Sequence, residues 1–222
     1  MDIGLEIRKT NLGHENIEIH IFQKNKDRFF DELVSLVTAL SNFDIAIEVH
    51  ANGGHSVNAM KKDHSVYLYG RTVTYAWNPH DTLAALRNDI WPNTLTLAKL
   101  PPDIIRTKGS IKLSVDGISS FIHSICGLTY MRYYESIKPL IIKKYGRNPS
   151  LWPKTLNFSR VVRNSIAHGG KIHITNKNAA PVEWKGITIS QADNDELLFQ
   201  PQKYIGVGDL VLLIENSEDE LV

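Results

Sequence analysis

The sequence predicts a mostly helical α+β protein, and three observations carry that expectation. Apolar residues at Ile118, Phe121, Ile122, Ile125 and Leu128 recur with the period of an amphipathic helix. Ile17, Ile19 and Ile21 alternate with polar residues, the pattern of a half-buried strand. After Gly169-Gly170 the texture changes to short apolar runs, Ile172–Ile174, Val182–Trp184 and Ile187–Ile189, which read as short strands.

In chain order, helical spacing begins at Asp27 and carries Phe29, Phe30, Leu33, Leu36, Val37 and Leu40 on one side. Ile45, Ile47 and Val49 return to period two, and Gly53-Gly54 supplies a turn. Val66–Tyr69 and Thr72–Tyr75 flank Gly70-Arg71 as a β-hairpin. Asn78-Pro79 caps a helix through Leu83, Leu86 and Ile90. Ser114 and Asp116 are cap candidates for the next helix, expected to stop near Ile137 because Pro139 removes a backbone donor. A shorter amphipathic piece follows through Leu140, Ile141, Ile142 and Tyr145, then a Pro149 and Pro153 loop and a helix over about 155–168. A last element covers Leu210–Ile214, and Ser217–Val222 reads as a frayed acidic tail. The expected organisation is a mixed α/β region over 1–78 and a helical domain with C-terminal β elaboration over 79–222. Pro101-Pro102 is an alternative boundary.

With 222 residues and 42% hydrophobic content the chain can bury a sizeable core. One cysteine, Cys126, excludes an internal disulfide and fits a reducing compartment. No apolar run has membrane-spanning length, and Met1-Asp2-Ile3-Gly4 lacks signal-peptide character, so a cytoplasmic protein is expected. Charge is unevenly spread. Residues 117–182 hold ten Lys/Arg against one acid, Glu135, whereas residues 183–222 hold nine acids against two bases. Two readings stay open: a surface facing a polyanion such as RNA, or mutual neutralisation of the two segments.

Within the basic stretch lies Arg163-Asn164-Ser165-Ile166-Ala167-His168, followed by Gly169-Gly170. On a helical wheel Phe158, Val162, Ser165 and Ile166 form the buried face. Asn164 and His168, four apart, face the same way with Arg160 nearby, while Arg163 projects about 140° from His168. Histidine can take and return a proton near neutral pH, arginine can hold a phosphate bidentately, and an amide beside them can orient the imidazole. That kit suits attack of an RNA 2′-hydroxyl on its own phosphodiester, which needs no metal or cofactor. The same ending is also an ordinary helix stop, with histidine favoured at the carbonyl end of the dipole.

The segment VVRNSIAHGG, with Arg163-Asn164-x3-His168 closing the last long helix of a helical stretch, resembles the signature of the HEPN superfamily (higher eukaryotes and prokaryotes nucleotide-binding), and most of all its toxin and antiviral-defence members. The likeness covers about residues 110–172. It implies an up-and-down α-helical bundle, a homodimer and a metal-independent endoribonuclease site at the dimer cleft, with RNA as substrate and a cognate antitoxin or regulatory protein as a further partner. By that carry-over Arg163 and His168 are catalytic and Asn164 is the polar motif position; Arg160, Lys143, Lys144 and Lys171 are the candidate RNA-binding residues. Some family members are non-catalytic, so a module binding RNA, a nucleotide or a protein is the alternative. A purely structural dimerisation domain, with His168 only a cap, is a third reading.

Other constellations are weaker. His50, His55, His64 and His80 lack the spacing of a metal site, and His123 with Cys126 would need two more ligands. Cys126 sits in an apolar helical pattern, where a thiol is a core residue rather than a nucleophile. Arg8 and His14 form an Arg-x5-His pair, but Asn11 and Gly13 between them oppose a helix. Tyr130, Tyr133 and Tyr134 either stack on bases beside Arg132 or fill a core or interface.

Overall fold

The computed structural model describes residues 17–51, 65–102 and 116–222. Arg8, His14, the Gly53-Gly54 turn, His55, His64 and Ser114 lie outside them. Among the described residues the protein is α+β, with five α-helices, a four-stranded antiparallel sheet and a two-stranded one. They group into two compact units. One falls within Met1–Tyr67 and Tyr75–Pro101, the other within Leu68–Thr74 and Pro102–Val222.

The first unit carries β1 (Glu18–Gln23), α1 (Phe30–Ala51), most of β3 (Thr74–Trp77), α2 (Pro79–Arg87) and β4 (Thr94–Leu100). β2 (Val66–Tyr69) begins there, and the sheet order is β1-β4-β3-β2. β1 pairs antiparallel with β4, Ile19 opposite Ala98 and Ile21 opposite Thr96. The alternation in β1 is real but its faces are inverted from expectation. Ile19 and Ile21 are exposed, and Phe22 on the other face is buried against Phe29. β4 carries no expectation from the sequence, though Leu95 and Leu97 alternate into the core. Ile45, Ile47 and Val49 do not form a strand; α1 runs through them. Their β-branched alternation is a weak preference, overridden by a helix already nucleated and packed through Phe30, Leu33, Val34 and Val37. α2 starts as expected, the Asn78 side chain accepting from the His80 N–H at 2.8 Å with Pro79 in the first turn.

The second unit is built on α3 (Asp116–Tyr145), α4 (Lys154–Ala167) and α5 (Val207–Asp219), with β5 (Val182–Trp184) paired antiparallel to β6 (Ile187–Ile189). Pro139 neither ends nor splits α3. It removes the donor for the Glu135 carbonyl, which lies on an exposed stretch, while Ile137 and Ile141 on either side are fully buried and keep the helix continuous. Tyr130, Tyr133 and Tyr134 are core residues, each under 3% exposed, which removes them as base-stacking candidates. The Tyr130 hydroxyl reaches the Ser159 carbonyl at 3.4 Å, and Tyr133 donates to the Ile214 carbonyl at 3.2 Å. At Gly127 α3 and α4 approach closely, since a Cβ there would lie 2.9 Å from Ile166 Cγ2.

The acidic end is not frayed. α5 continues to Asp219, the buried Ser217 shares a 2.9 Å hydrogen bond with Ser159, and Tyr145 donates to the Glu220 carbonyl at 2.7 Å. Tertiary partners override the local polar composition there. Residues 172–174, expected as a strand, do not form one. The turn of the β2–β3 hairpin belongs to this unit and is fixed by Asp209 near the start of α5. That carboxylate is fully buried and accepts from the Arg71, Thr72 and Gly206 N–H groups and the Thr72 hydroxyl, at 2.5 to 2.9 Å.

Candidate active site

α4 forms because Leu156, Phe158, Val161, Val162 and Ser165 make one buried stripe on a 14-residue helix. Phe158 stacks on Trp184 at 5.5 Å, and the Ser165 hydroxyl is spent on the Val161 carbonyl. The remaining face carries Arg160, Arg163 and Asn164, each half-buried.

The helix stops at His168, which is exposed, because Gly169 and Gly170 both take positive φ, +72° and +79°. Gly170 N–H bonds the Ser165 carbonyl at 2.9 Å and Gly169 N–H that of Ile166 at 3.1 Å, the paired bonds of a Schellman stop. Side chains at these two positions would be strained, so the sequence fixes where the imidazole sits.

Arg163 is held on two sides. Its Nη2 lies 2.5 Å from Glu135 Oε1 on α3, and its Nη1 reaches Asn164 Oδ1 at 3.4 Å. Its Nε is buried and has no hydrogen-bond partner among the described residues. The Tyr134 hydroxyl is likewise buried and unpartnered, and burial pushes its pKa up to about 12, opposed by Arg160 and Arg163 nearby. Buried polar atoms are nearly always satisfied, so two orphans around one guanidinium mark a centre whose hydrogen bonding is incomplete. Arg160 donates from Nε and Nη2 to Asn157 Oδ1 at 3.1 and 3.0 Å, and burial lowers its pKa.

The imidazole of His168 has a neighbour that the sequence reading missed. The ring of His173 stacks on it, centroids 3.7 Å apart and planes 27° apart. Asn164 engages Arg163 through its side-chain oxygen, rather than making the imidazole contact expected of it. The signal for His173 was the Ile172-His173-Ile174 alternation. With both isoleucines buried, the residue between them is turned to the other face.

The other candidate cations spread along the unit. Lys143 and Lys144 are exposed in the last turn of α3, roughly 12 Å along the axis from Glu135. Lys144 donates to the Glu220 carbonyl at 3.1 Å. Lys171 is exposed just past the glycine turn, bridged to Leu197. Of the two charge-segregated stretches, Lys154 and Glu183 join across at 3.2 Å, while Lys203 pairs within the acidic one, to Glu196 at 2.5 Å.

His123 on α3 stacks on Phe199 at 4.5 Å, and burial lowers its pKa. Leu198, next to Phe199, donates to the Gly170 carbonyl at 2.8 Å, which places His123 at the same end of the unit as His168. Cys126 is buried, and burial raises its thiol to about 12. Among the described residues no three His, Cys, Asp or Glu side chains group to hold a metal, and no helix is long and apolar enough to cross a membrane. No protein-family model, curated protein or solved structure matches this chain.

Proposed function

We propose that this chain is a HEPN-type, metal-independent endoribonuclease acting in the cytoplasm, of the toxin or antiviral-defence kind and held in check by a cognate inhibitor. The observation that carries this reading is the end of α4. A guanidinium whose buried Nε has no partner among the described residues and an exposed imidazole, fixed by a two-glycine stop, share one helix within a strongly basic stretch. Arg163 binds the scissile phosphate and stabilises charge developing on it; His168 exchanges protons with the reacting oxygens. Lys143, Lys144, Arg160 and Lys171 supply electrostatic attraction for the RNA backbone.

The site is completed by a second copy. Arg163 and His168 leave the helix about 140° apart, so one copy does not easily aim both at one phosphate. Two helices related by a two-fold axis line one cleft from opposite sides. Leu128, 66% exposed on α3 and adjacent to the Gly127–Ile166 contact, is an apolar surface of the kind such an interface buries.

A second reading, a non-catalytic HEPN-like module that binds RNA, a nucleotide or a protein, is favoured by Glu135, which already neutralises Arg163. The test is incubation of varied RNAs with pure protein in EDTA, with analysis of the product ends. Cleavage leaving 2′,3′-cyclic phosphates, together with partial return of activity on mixing Arg163→Ala and His168→Ala protomers, is expected. RNA binding without cleavage by wild type favours the module, and full activity from a monomer at micromolar concentration overturns the composite site.

A further inference from the structure

We infer that His173 is a second catalytic residue of this site, the general acid that protonates the leaving 5′-oxygen while His168 serves as the base. The inference rests on the ribonuclease reading above. Its starting point is the stacked pair itself, two imidazoles nearly parallel with centroids 3.7 Å apart.

His173 is held there by its neighbours. The Schellman stop reverses the chain, and Leu198 N–H fastens the Gly170 carbonyl at 2.8 Å. Ile172 is bonded at both backbone groups, its N–H to the Glu196 carbonyl at 2.8 Å and its carbonyl to the Asp195 N–H at 3.0 Å. Ile174 is clamped in the same way by one side chain, its N–H to Asn194 Oδ1 at 2.8 Å and its carbonyl to Asn194 Nδ2 at 3.0 Å. Ile172 and Ile174 are both buried, so the backbone on either side of His173 is fixed and its ring is delivered to His168. Acid–base work needs each group held where it can reach its own proton on the substrate, and the fixed backbone serves that need.

The chemistry needs two groups. In an in-line displacement the attacking and leaving oxygens lie on opposite sides of phosphorus, so a base and an acid must reach two different oxygens, and two adjacent imidazoles can divide that work. Neutral His168 accepts the 2′-hydroxyl proton as the O2′–P bond forms. As the P–O5′ bond breaks, the proton of cationic His173 passes to O5′, giving a 2′,3′-cyclic phosphate and a free 5′-hydroxyl. The pair carries one positive charge before and after, and solvent resets it.

The experiment compares an oligoribonucleotide with the four nucleoside 3′-(4-nitrophenyl phosphates), whose leaving group departs without a proton. His173→Ala should slow cleavage of the oligoribonucleotide by about a hundred- to ten-thousand-fold yet leave release of 4-nitrophenolate within a few-fold of wild type. His168→Ala should slow both. His173→Gln, which keeps a polar side chain of similar reach, replaces the alanine variant if that one fails to fold, and the same pattern is expected. Equal slowing of both substrates by the His173 variants, or slowing of neither, overturns the acid role while leaving the ribonuclease reading intact. Wild type inert on every substrate overturns the ribonuclease reading and the acid role with it.

Discussion

Two helix ends in the second unit hold charge in opposite ways. At the start of α5, Asp209 is fully buried and accepts four hydrogen bonds, from Arg71, Gly206 and both donors of Thr72. At the end of α4, Arg163 has a buried Nε without a partner among the described residues and a long 3.4 Å contact to Asn164, and His168 is exposed beside His173. The first centre is closed, with every group satisfied and nothing left to offer a ligand. The second is partly satisfied and partly open. A filled polar network fixes a fold, whereas an unfilled one with proton-exchanging groups is where chemistry can occur.

Substitutions that separate the two ends sharpen this contrast. Asp209→Ala should have the largest effect on stability, on the order of 3 kcal/mol or more, because three backbone N–H groups lose a buried charged acceptor together. Urea unfolding measures it, and a loss below about 1 kcal/mol would show that the clamp is not structural. Glu135→Gln should act modestly and at the other end. It removes the carboxylate 2.5 Å from Arg163 and frees the guanidinium, so RNA should bind a few-fold tighter while stability changes by less than about 1 kcal/mol, as for a partly exposed pair. Weaker binding on fluorescence titration would mean that Glu135 positions the arginine rather than competing with RNA for it.

The smallest effect concerns pH. Burial lowers the pKa of His123, so the folded protein favours its neutral form while the unfolded chain titrates near about 6.5. Below that value the unfolded state binds the proton first, and stability falls until the lower folded value is passed. His123→Gln should therefore lose less melting temperature than wild type between pH 7.5 and pH 5. An identical loss in both would contradict the assignment.

Much of the open end was legible in the sequence. Phe158, Val162 and Ser165 are spaced as a helix and Gly169-Gly170 ends it, both local signals, so α4 and its histidine follow from neighbours in the chain. The closed end was not legible, because Asp209 meets partners 137 and 138 residues away and nothing local marks that pairing. His173 was missed for a related reason: it meets His168 across a turn, outside any helical wheel. Pro139 misled because a lost donor is a local cost, whereas the burial of Ile137 and Ile141 that outweighs it is tertiary. The alternation in β1 revealed a strand but not which face turns inward, since Ile19 and Ile21 have the more apolar side and stay exposed.

In the proposed function the end of α4 serves chemistry rather than stability. The most direct measurement takes the melting temperature and the RNA cleavage rate in EDTA for wild type and His168→Ala from the same preparations. The predicted result is active wild type and a variant slowed by about a hundredfold or more, with its melting temperature within a few degrees of wild type. Wild type without activity, together with a variant that melts far lower, would make His168 a helix cap and contradict the claim.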